Sequence, residues 1–409
     1  MRILFSISVL MFAAQFCAQS LDTLLIRAVQ NHPELKALEA QYEAHVLKAI
    51  QVQQLPDPQL GIGIPVLRPE TRLGPQLVAL KGSQMFPWFG TQNIKKDIVL
   101  EMSKAKFEKI TLYKLELFHD IRTAYYKLQL AKNKRILLTN HLSNFRQLRK
   151  IVLSKIDAGE SGLADVLRIE MKINQLKNDS ANIENDKSTF SLRIHEALGT
   201  QEESIIQITS SLDSPAHLQI DSSNFRIKIQ THHPMMLMLN AKINSSKKKQ
   251  ELTNKMGKPM IGIGLDYTLV GKRTDMNPDQ NGRDIIVPKA MITLPLNRKK
   301  YEAKVEEETL HQLAFKYEKE SLENRLMRML KELNIKYIDA LEDIDYLKSQ
   351  QEISKTVRTL LLAKYSANGA GFDELLSIQN ELYYYDYQIQ NKIIYTYLLQ
   401  ANVKRITEF

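Results

Sequence analysis

The sequence predicts a mainly α protein with a small β component, and three observations predict it. Glycine and proline keep out of two long stretches, residues 92–158 and 296–368. The chain is also duplicated: Asn31-His32-Pro33 recurs as His232-His233-Pro234, and Leu60-Gly61-Ile62-Gly63 recurs as Ile261-Gly262-Ile263-Gly264, both 201 positions later. Each of those glycine clusters opens a run that alternates apolar with small or polar residues. A breaker-free stretch of roughly 70 residues can hold one helix about 100 Å long, so each must be supported by neighbours along its length. Internal repetition means that what one half builds, the other builds again.

Composition bounds the class. With 409 residues, 44% hydrophobic, 25% charged and 7% aromatic, the chain suits helix-rich, elongated architecture better than one compact core. Its net charge of +10 does not point to nucleic acid, because lysines interleave with glutamates, as at Lys299, Lys300, Glu302, Lys304 and Glu306. That is the pattern of a solvated helix face, with no aromatic-basic platform beside it. Phosphate-binding loops, nucleophile elbows and HExxH motifs are lacking, so neither an enzyme nor a cofactor is expected.

Residues 1–20 read as a secretory signal: Met1-Arg2 is a basic start, residues 3–16 are an apolar run, and Ala18-Gln19-Ser20 offers small residues for cleavage near Gln19 or Leu21. The run is too short for the roughly 20 residues of a spanning helix. Cys17 is the only cysteine. Lipidation of Cys17 is the alternative, although Gln15-Phe16 stand where a lipoprotein signal places small residues. With Cys17 removed, the mature chain has no thiol and relies on packing.

Pro33 suits a first helical turn, with Asn31 as a nearby cap and Glu34 in that turn. This helix is expected over 33–55 and its twin over 234–256. In the strand that follows, Leu60, Ile62, Ile64 and Val66 point one way and Gln59, Gly61, Gly63 and Pro65 the other. In its twin, Ile261, Ile263, Leu265, Tyr267 and Leu269 oppose Gly262, Gly264, Asp266 and Thr268. Alternation of this kind over about nine residues is the signature of an outer-membrane strand; a half-buried strand of a soluble sheet is the other reading. On the first reading Leu60, Ile62, Ile64, Val66, Ile261, Ile263, Leu265 and Tyr267 face lipid. Partner strands over 76–86 and 285–294 follow turn-rich loops at 68–75 and 271–284, giving two hairpins and four strands. Four strands cannot close a barrel, and an open edge cannot sit in lipid, so several chains must contribute.

Each long stretch ends at glycines: Gly159 and Gly162 in the first, Gly369 and Gly371 in the second. Return helices are expected over 163–198 and 372–408, so each long helix lies beside two shorter ones stacked end to end. Leu117, Ile121, Ala124, Leu128, Ala131, Arg135, Leu138, Leu142, Phe145, Arg149, Val152 and Ile156 keep four-three spacing, a coiled-coil seam that only the two arginines interrupt. The arginines are expected to be snorkelling or paired, with a lining role as the alternative. The organisation is therefore a signal over 1–20, a first repeat over 21–199 (helix, β-hairpin 57–87, helical hairpin 91–198), a connector over 200–230, and a second repeat over 231–409 (helix, β-hairpin 258–295, helical hairpin 297–408). His232, His233, Met235, Met236 and Met238 suggest soft-metal binding, but the twin at Asn31-His32-Pro33 carries no methionine. The shared element is a helix start, and no metal site is expected.

These landmarks resemble the TolC family of outer-membrane efflux factors: Asn31-His32-Pro33-Glu34-Leu35, then residues 56–61, the Phe86-Pro87-Trp88-Phe89-Gly90 run, and the hinges at 158–167 and 371–376. The resemblance spans about residues 21–409. It implies a long antiparallel α-helical barrel plus four β-strands per chain forming a shared 12-stranded barrel in a homotrimer, placed in the outer membrane of a Gram-negative bacterium and extending into the periplasm. It implies a periplasmic adaptor, which docks at the hinge ends, and an inner-membrane pump. Docking candidates on that analogy are Gly159, Gly162, Leu163, Val166, Leu167, Gly371, Phe372, Leu375 and Leu376. Asp157, Asp165, Asp373 and Glu374 are candidates for a constriction that responds to pH and ions. The implied activity is passive exit of substrates delivered by the pump, with the Phe86–Gly90 run leaning to heavy-metal efflux by resemblance and drug efflux left open. Alternatives are the outer-membrane component of type I protein secretion and a periplasmic coiled-coil adaptor. Two equal hairpins, each after its own strand pair, argue against the adaptor.

Overall fold

The computed structural model describes residues 20–201, 205–208, 212–218, 222–368 and 370–408. The expected signal with Cys17, hinge residue Gly369 and parts of the connector lie outside the described residues.

The elements run α1 (Leu21–Asn31), α2 (Pro33–Gln53), β1 (Gln59–Gly63), β2 (Glu70–Thr71), β3 (Gly74–Phe86), α3 (Thr91–Asp157), α4 (Leu163–Ala197), α5 (Ser222–His232), α6 (Pro234–Met256), β4 (Met260–Val270), β5 (Ile285–Thr293), α7 (Arg298–Asn368) and α8 (Phe372–Thr407). The two breaker-free stretches are continuous helices of 67 and 71 residues. Asn31 does not cap α2, as the sequence suggested; it is the last residue of an additional helix, α1, which is capped by the Ser20 hydroxyl. The break falls at His32, whose backbone cannot continue a helix into Pro33. The duplicate break is at His233, whose ring caps α6 by accepting from the Met235 amide at 3.2 Å. Residues 222–230 of the expected connector thus belong to α5, a helix equivalent to α1 that runs on to His232, both 11 residues long.

The chain divides into two compact units. The first holds Met1–Lys36, Tyr113–Lys228 and Arg325–Phe409. Its interior is the expected seam: Ile121, Phe145 and Val152 are wholly buried, and Leu117, Ala124, Leu128, Ala131 and Leu138 nearly so. Where the seam carries arginine, α4 supplies the counter-charge: Arg135 pairs with Glu184, and Arg149 with Glu170. The described part of the connector is a strap. Ile206 and Ala216 are buried, the Ala216 amide donates to Thr396 Oγ1 (2.8 Å), its carbonyl accepts from Tyr337 (2.8 Å), and Lys132 donates to the Ile208 carbonyl (2.9 Å). Arg122, 7% exposed, meets Glu408 at 2.6 Å and fixes the end of the chain.

The second unit holds Ala37–Leu112 and Ile229–Asn324, and with them every strand. The sheet order is β1-β3-β4-β5, all antiparallel, with β2 pairing to β3. Two expectations are corrected here. The first strand stops at Gly63, so Ile64 and Val66 are not strand residues; Pro65 has no N–H to give the ladder, and both side chains are exposed. A fifth short strand, β2, occupies the expected loop at 68–75.

Candidate functional site

Antiparallel register decides which side chains share a face, because directly opposed residues point the same way. In β4, Ile261, Ile263, Leu265 and Tyr267 stand opposite Ile292, Ala290, Pro288 and Ile286 of β5. On the other flank Leu265 and Tyr267 oppose Gly82 and Leu80 of β3, which in turn oppose Leu60 and Ile62 of β1. One face is therefore apolar across the sheet. The opposite face carries Gly61, Lys81, Asp266, Gly264 and Lys289, with Lys289 paired to Asp266.

The apolar face is bare. Leu60 is 89% exposed, Ile62 72%, Ile263 57% and Ile292 65%. A monomeric soluble protein rarely leaves such a contiguous patch in water. β3, β4 and β5, at 13, 11 and 9 residues, reach the length a tilted membrane strand needs, about 9–11 residues. No described helix is long and apolar enough to cross a membrane.

Both sheet edges, β1 and β5, lack a partner strand among the described residues. At the loop end, the Gly271 amide donates to the Pro75 carbonyl (2.8 Å) and the Gly282 amide to that of Leu73 (2.8 Å). Arg273 lies against Asp275 (2.6 Å) and Glu70 (3.8 Å), so the two hairpin loops hold each other. Gly74, at φ +131°, is obligatory: a Cβ there would collide with the Gly271 carbonyl.

The hinges belong to the first unit. α3 ends in a Schellman turn, the Gly159 amide on the Ile156 carbonyl and the Glu160 amide on that of Lys155, both 2.8 Å, with Gly159 left-handed at φ +78°. Gly371 caps α8 at φ +86°. Gly162 precedes α4 in an extended conformation. The apolar docking candidates separate into two groups. Leu163 (68%) and Leu167 (56%) are exposed, and Met171 (73%), one further turn along, extends their stripe. The i, i+4, i+8 spacing of these three was the signal that could have included Met171. Phe372 (6%) and Leu375 (2%) are core, packed with Tyr365, Ile169 and Phe145, and Val166 and Leu376 are partly buried against them. Phe372 and Leu375, expected at the docking tips, are therefore interior and not exposed: Tyr365 lies 5.8 Å from the Phe372 ring and covers it.

Three of the four acidic candidates are engaged. Asp165 accepts from Ser161 (2.8 Å), Asp373 pairs with Arg168, and Glu374 lies 3.6 Å from Lys364. Asp157 is exposed at the α3 end. Arg168 was not recognised in the sequence, because its value lies in bridging the two hinges.

Within the histidine and methionine group, His233 caps a helix and Met236 is buried, while His232 and Met235 are exposed. Among the described residues no cluster of three or more His, Cys, Asp or Glu gathers to hold a metal.

No family model matches the chain, and no curated protein matches it in sequence. Solved structures match its fold. CusC, whose crystal structures address transmembrane channel formation, superposes with a TM-score of 0.76 at 13% identity, over 95% of this chain and 91% of that one. The MtrE outer-membrane channel of Neisseria gonorrhoeae, in its open state, gives 0.74 at 15% identity, over 95% and 88%. The outer-membrane protein VceC of Vibrio cholerae gives 0.72 at 12% identity, over 95% of each. The chain has the fold of these outer-membrane channel proteins, helical hairpins with a small β-domain, as the sequence predicted.

Proposed function

We propose that this chain is the outer-membrane duct of a tripartite efflux system, a passive exit for substrates that an inner-membrane pump and a periplasmic adaptor deliver. Three copies join their sheets edge to edge into one 12-stranded barrel in the outer membrane of a Gram-negative cell. The helical hairpins extend into the periplasm. The observation that carries this reading is the sheet: one face bare and apolar, the other polar, and both edges open. Only lipid makes the first stable, and only further strands make the last tolerable.

The exposed line Tyr346, Ile353 and Leu360 on α7 supports the trimer, since apolar residues seven apart form a seam for a neighbouring helix. In this reading Leu163, Leu167 and the hinge glycines meet the adaptor, while Asp157, Asp165, Asp373 and Glu374 line the closing end. Transport needs no chemistry from the duct itself, and its energy comes from the pump.

Cysteine cross-linking on the edge strands tests the assembly. With Ile62→Cys on β1 combined in turn with Ile286→Cys, Ala290→Cys or Ile292→Cys on β5, at least one pair should give disulfide-linked dimers and trimers in the outer-membrane fraction. Monomers released with the soluble periplasm would overturn the reading.

A further inference from the structure

Four helix ends of the second unit meet where the strands depart. Gln53 of α2 donates to Asn93 of α3 (3.2 Å), Lys248 of α6 lies 3.7 Å from Asp97 of α3, and Gln250 of α6 donates to Thr309 of α7 (2.7 Å). So α2 and α6 finish at the end where α3 and α7 begin. That end is cationic. Lys95 and Lys96 open α3, Lys255 lies in the last turn of α6 and Lys258 just past its Gly257 cap, and Arg298, Lys299 and Lys300 form the first turn of α7.

These seven cations have no carboxylate partner among the described residues, whereas lysines one or two turns deeper are paired. Lys248 meets Asp97 and Glu251 (3.0 Å), Lys249 meets Glu308 (3.8 Å), and Lys304 meets Glu307 (3.1 Å). The acids nearest in sequence are Asp57, Asp97, Glu251 and Glu302, and Asp97 and Glu251 are already shared with Lys248. Placement at helix starts makes the cluster costlier. α3 and α7 have no acid in their first turns, unlike α4 and α8, which begin with Asp165 and with Asp373 and Glu374. A cation at a helix N-terminus opposes the macrodipole. Folding alone therefore gives no reason for this charge.

On its strand side the band adjoins an apolar and aromatic collar: Trp88 and Phe89 after β3 (Phe89 82% exposed), Met256 and Met260 at the α6–β4 turn, and Leu294 and Leu296 after β5 (59% and 86%). Aromatic and apolar groups followed within a turn by lysine and arginine are what a bilayer interface selects, rings at headgroup depth and ammonium groups at the phosphates. We infer that the helix ends beneath the sheet form a binding belt for anionic phospholipid headgroups of the periplasmic leaflet. The inference rests on the reading of the strands as membrane-spanning. Juxtamembrane cations attract anionic lipid, and salt weakens the attraction.

Trp88, the only tryptophan, lies in the collar and reports on its lipid neighbours. The mature full chain is reconstituted in phosphatidylethanolamine vesicles containing an equal, small fraction of either brominated phosphatidylglycerol or brominated phosphatidylethanolamine. The anionic lipid is expected to quench Trp88 several-fold more strongly. The preference should shrink toward unity at high salt, and also in the combined variant Lys258→Gln, Arg298→Gln, Lys299→Gln and Lys300→Gln. Lys304→Gln, whose cation is already neutralised by Glu307, should leave the preference intact. Equal quenching by the two lipids, or a preference that survives the combined variant, overturns the belt and leaves the channel standing. Absence of quenching by either lipid overturns the membrane assignment itself.

Discussion

Tyr126 carries a phenol into the interior of the first unit, 7% exposed, with the Tyr397 ring 5.2 Å away and that of Tyr125 at 6.0 Å. Burial pushes its pKa from 10.0 up to about 12, although Arg122 pulls the other way. Tyr113 is also raised to about 12, by burial and by the hydrogen bond it donates to Glu34 (3.1 Å). The folded pKa exceeds the unfolded one, so the stabilisation is full below about pH 10 and is lost as pH rises through about 12. Two pKa units correspond to about 2–3 kcal/mol for the buried Tyr126. Tyr126→Phe keeps the ring and removes the proton. Its unfolding free energy, followed by denaturant titration, should therefore fall less than that of the wild type between about pH 10 and 12, by about 2 kcal/mol. Identical alkaline curves would mean that Tyr126 ionises as freely in the folded chain as in the unfolded one.

At the scale of elements, the hinges divide labour between neighbouring residues. Leu163 and Leu167 extend from α4 into solvent, while Phe372 and Leu375 turn under Tyr365. The double change Leu163→Asp and Leu167→Asp should leave thermal unfolding and trimer yield unaltered while adaptor capture and efflux fall by tenfold or more. Phe372→Ala should instead lower stability by about 3–5 kcal/mol, the usual cost of emptying an aromatic site. Stability loss in the first variant, or none in the second, would reverse these assignments. The sequence could not make this distinction, since all four residues flank a hinge glycine with the same local pattern. What decides is Tyr365, which arrives from α7 and buries Phe372 and Leu375 in one cluster while Leu163 and Leu167 stay outside it. The same limit hid α1 and α5, the helices that precede the starts read at Pro33 and Pro234. It also hid the early end of β1, where alternation runs on through Ile64 and Val66 although Pro65 leaves the ladder. The long helices and the hinges were legible because glycine and proline act within one or two residues of where they stand. Pairing, burial and capping depend on distant segments, so Glu184 opposite Arg135 and Arg168 opposite Asp373 had no local sign.

At the scale of the whole molecule, the sheet is the element that a single chain leaves unfinished. Its central strands are paired on both sides, its edges on one, and its two faces demand different surroundings. The sharpest test uses adjacent positions on one strand, so that length, charge and depth are matched and only the face differs. Ala290 shares the apolar face with Ile263, while Met291 shares the polar face with Gly262. Arginine on the lipid side of a barrel costs about 2–4 kcal/mol near the bilayer midplane, whereas a lumenal position meets water. Ala290→Arg should therefore deplete trimers from the outer membrane by more than tenfold, since about 1.4 kcal/mol already shifts an equilibrium tenfold. Met291→Arg should assemble close to wild-type levels and change only how ions pass. Quantifying heat-resistant trimer in membrane fractions for both variants checks this directly. If Met291→Arg blocks assembly while Ala290→Arg is tolerated, the faces are inverted and the barrel reading fails. If both assemble equally, neither face touches lipid, and the bare apolar surface must be covered by protein instead.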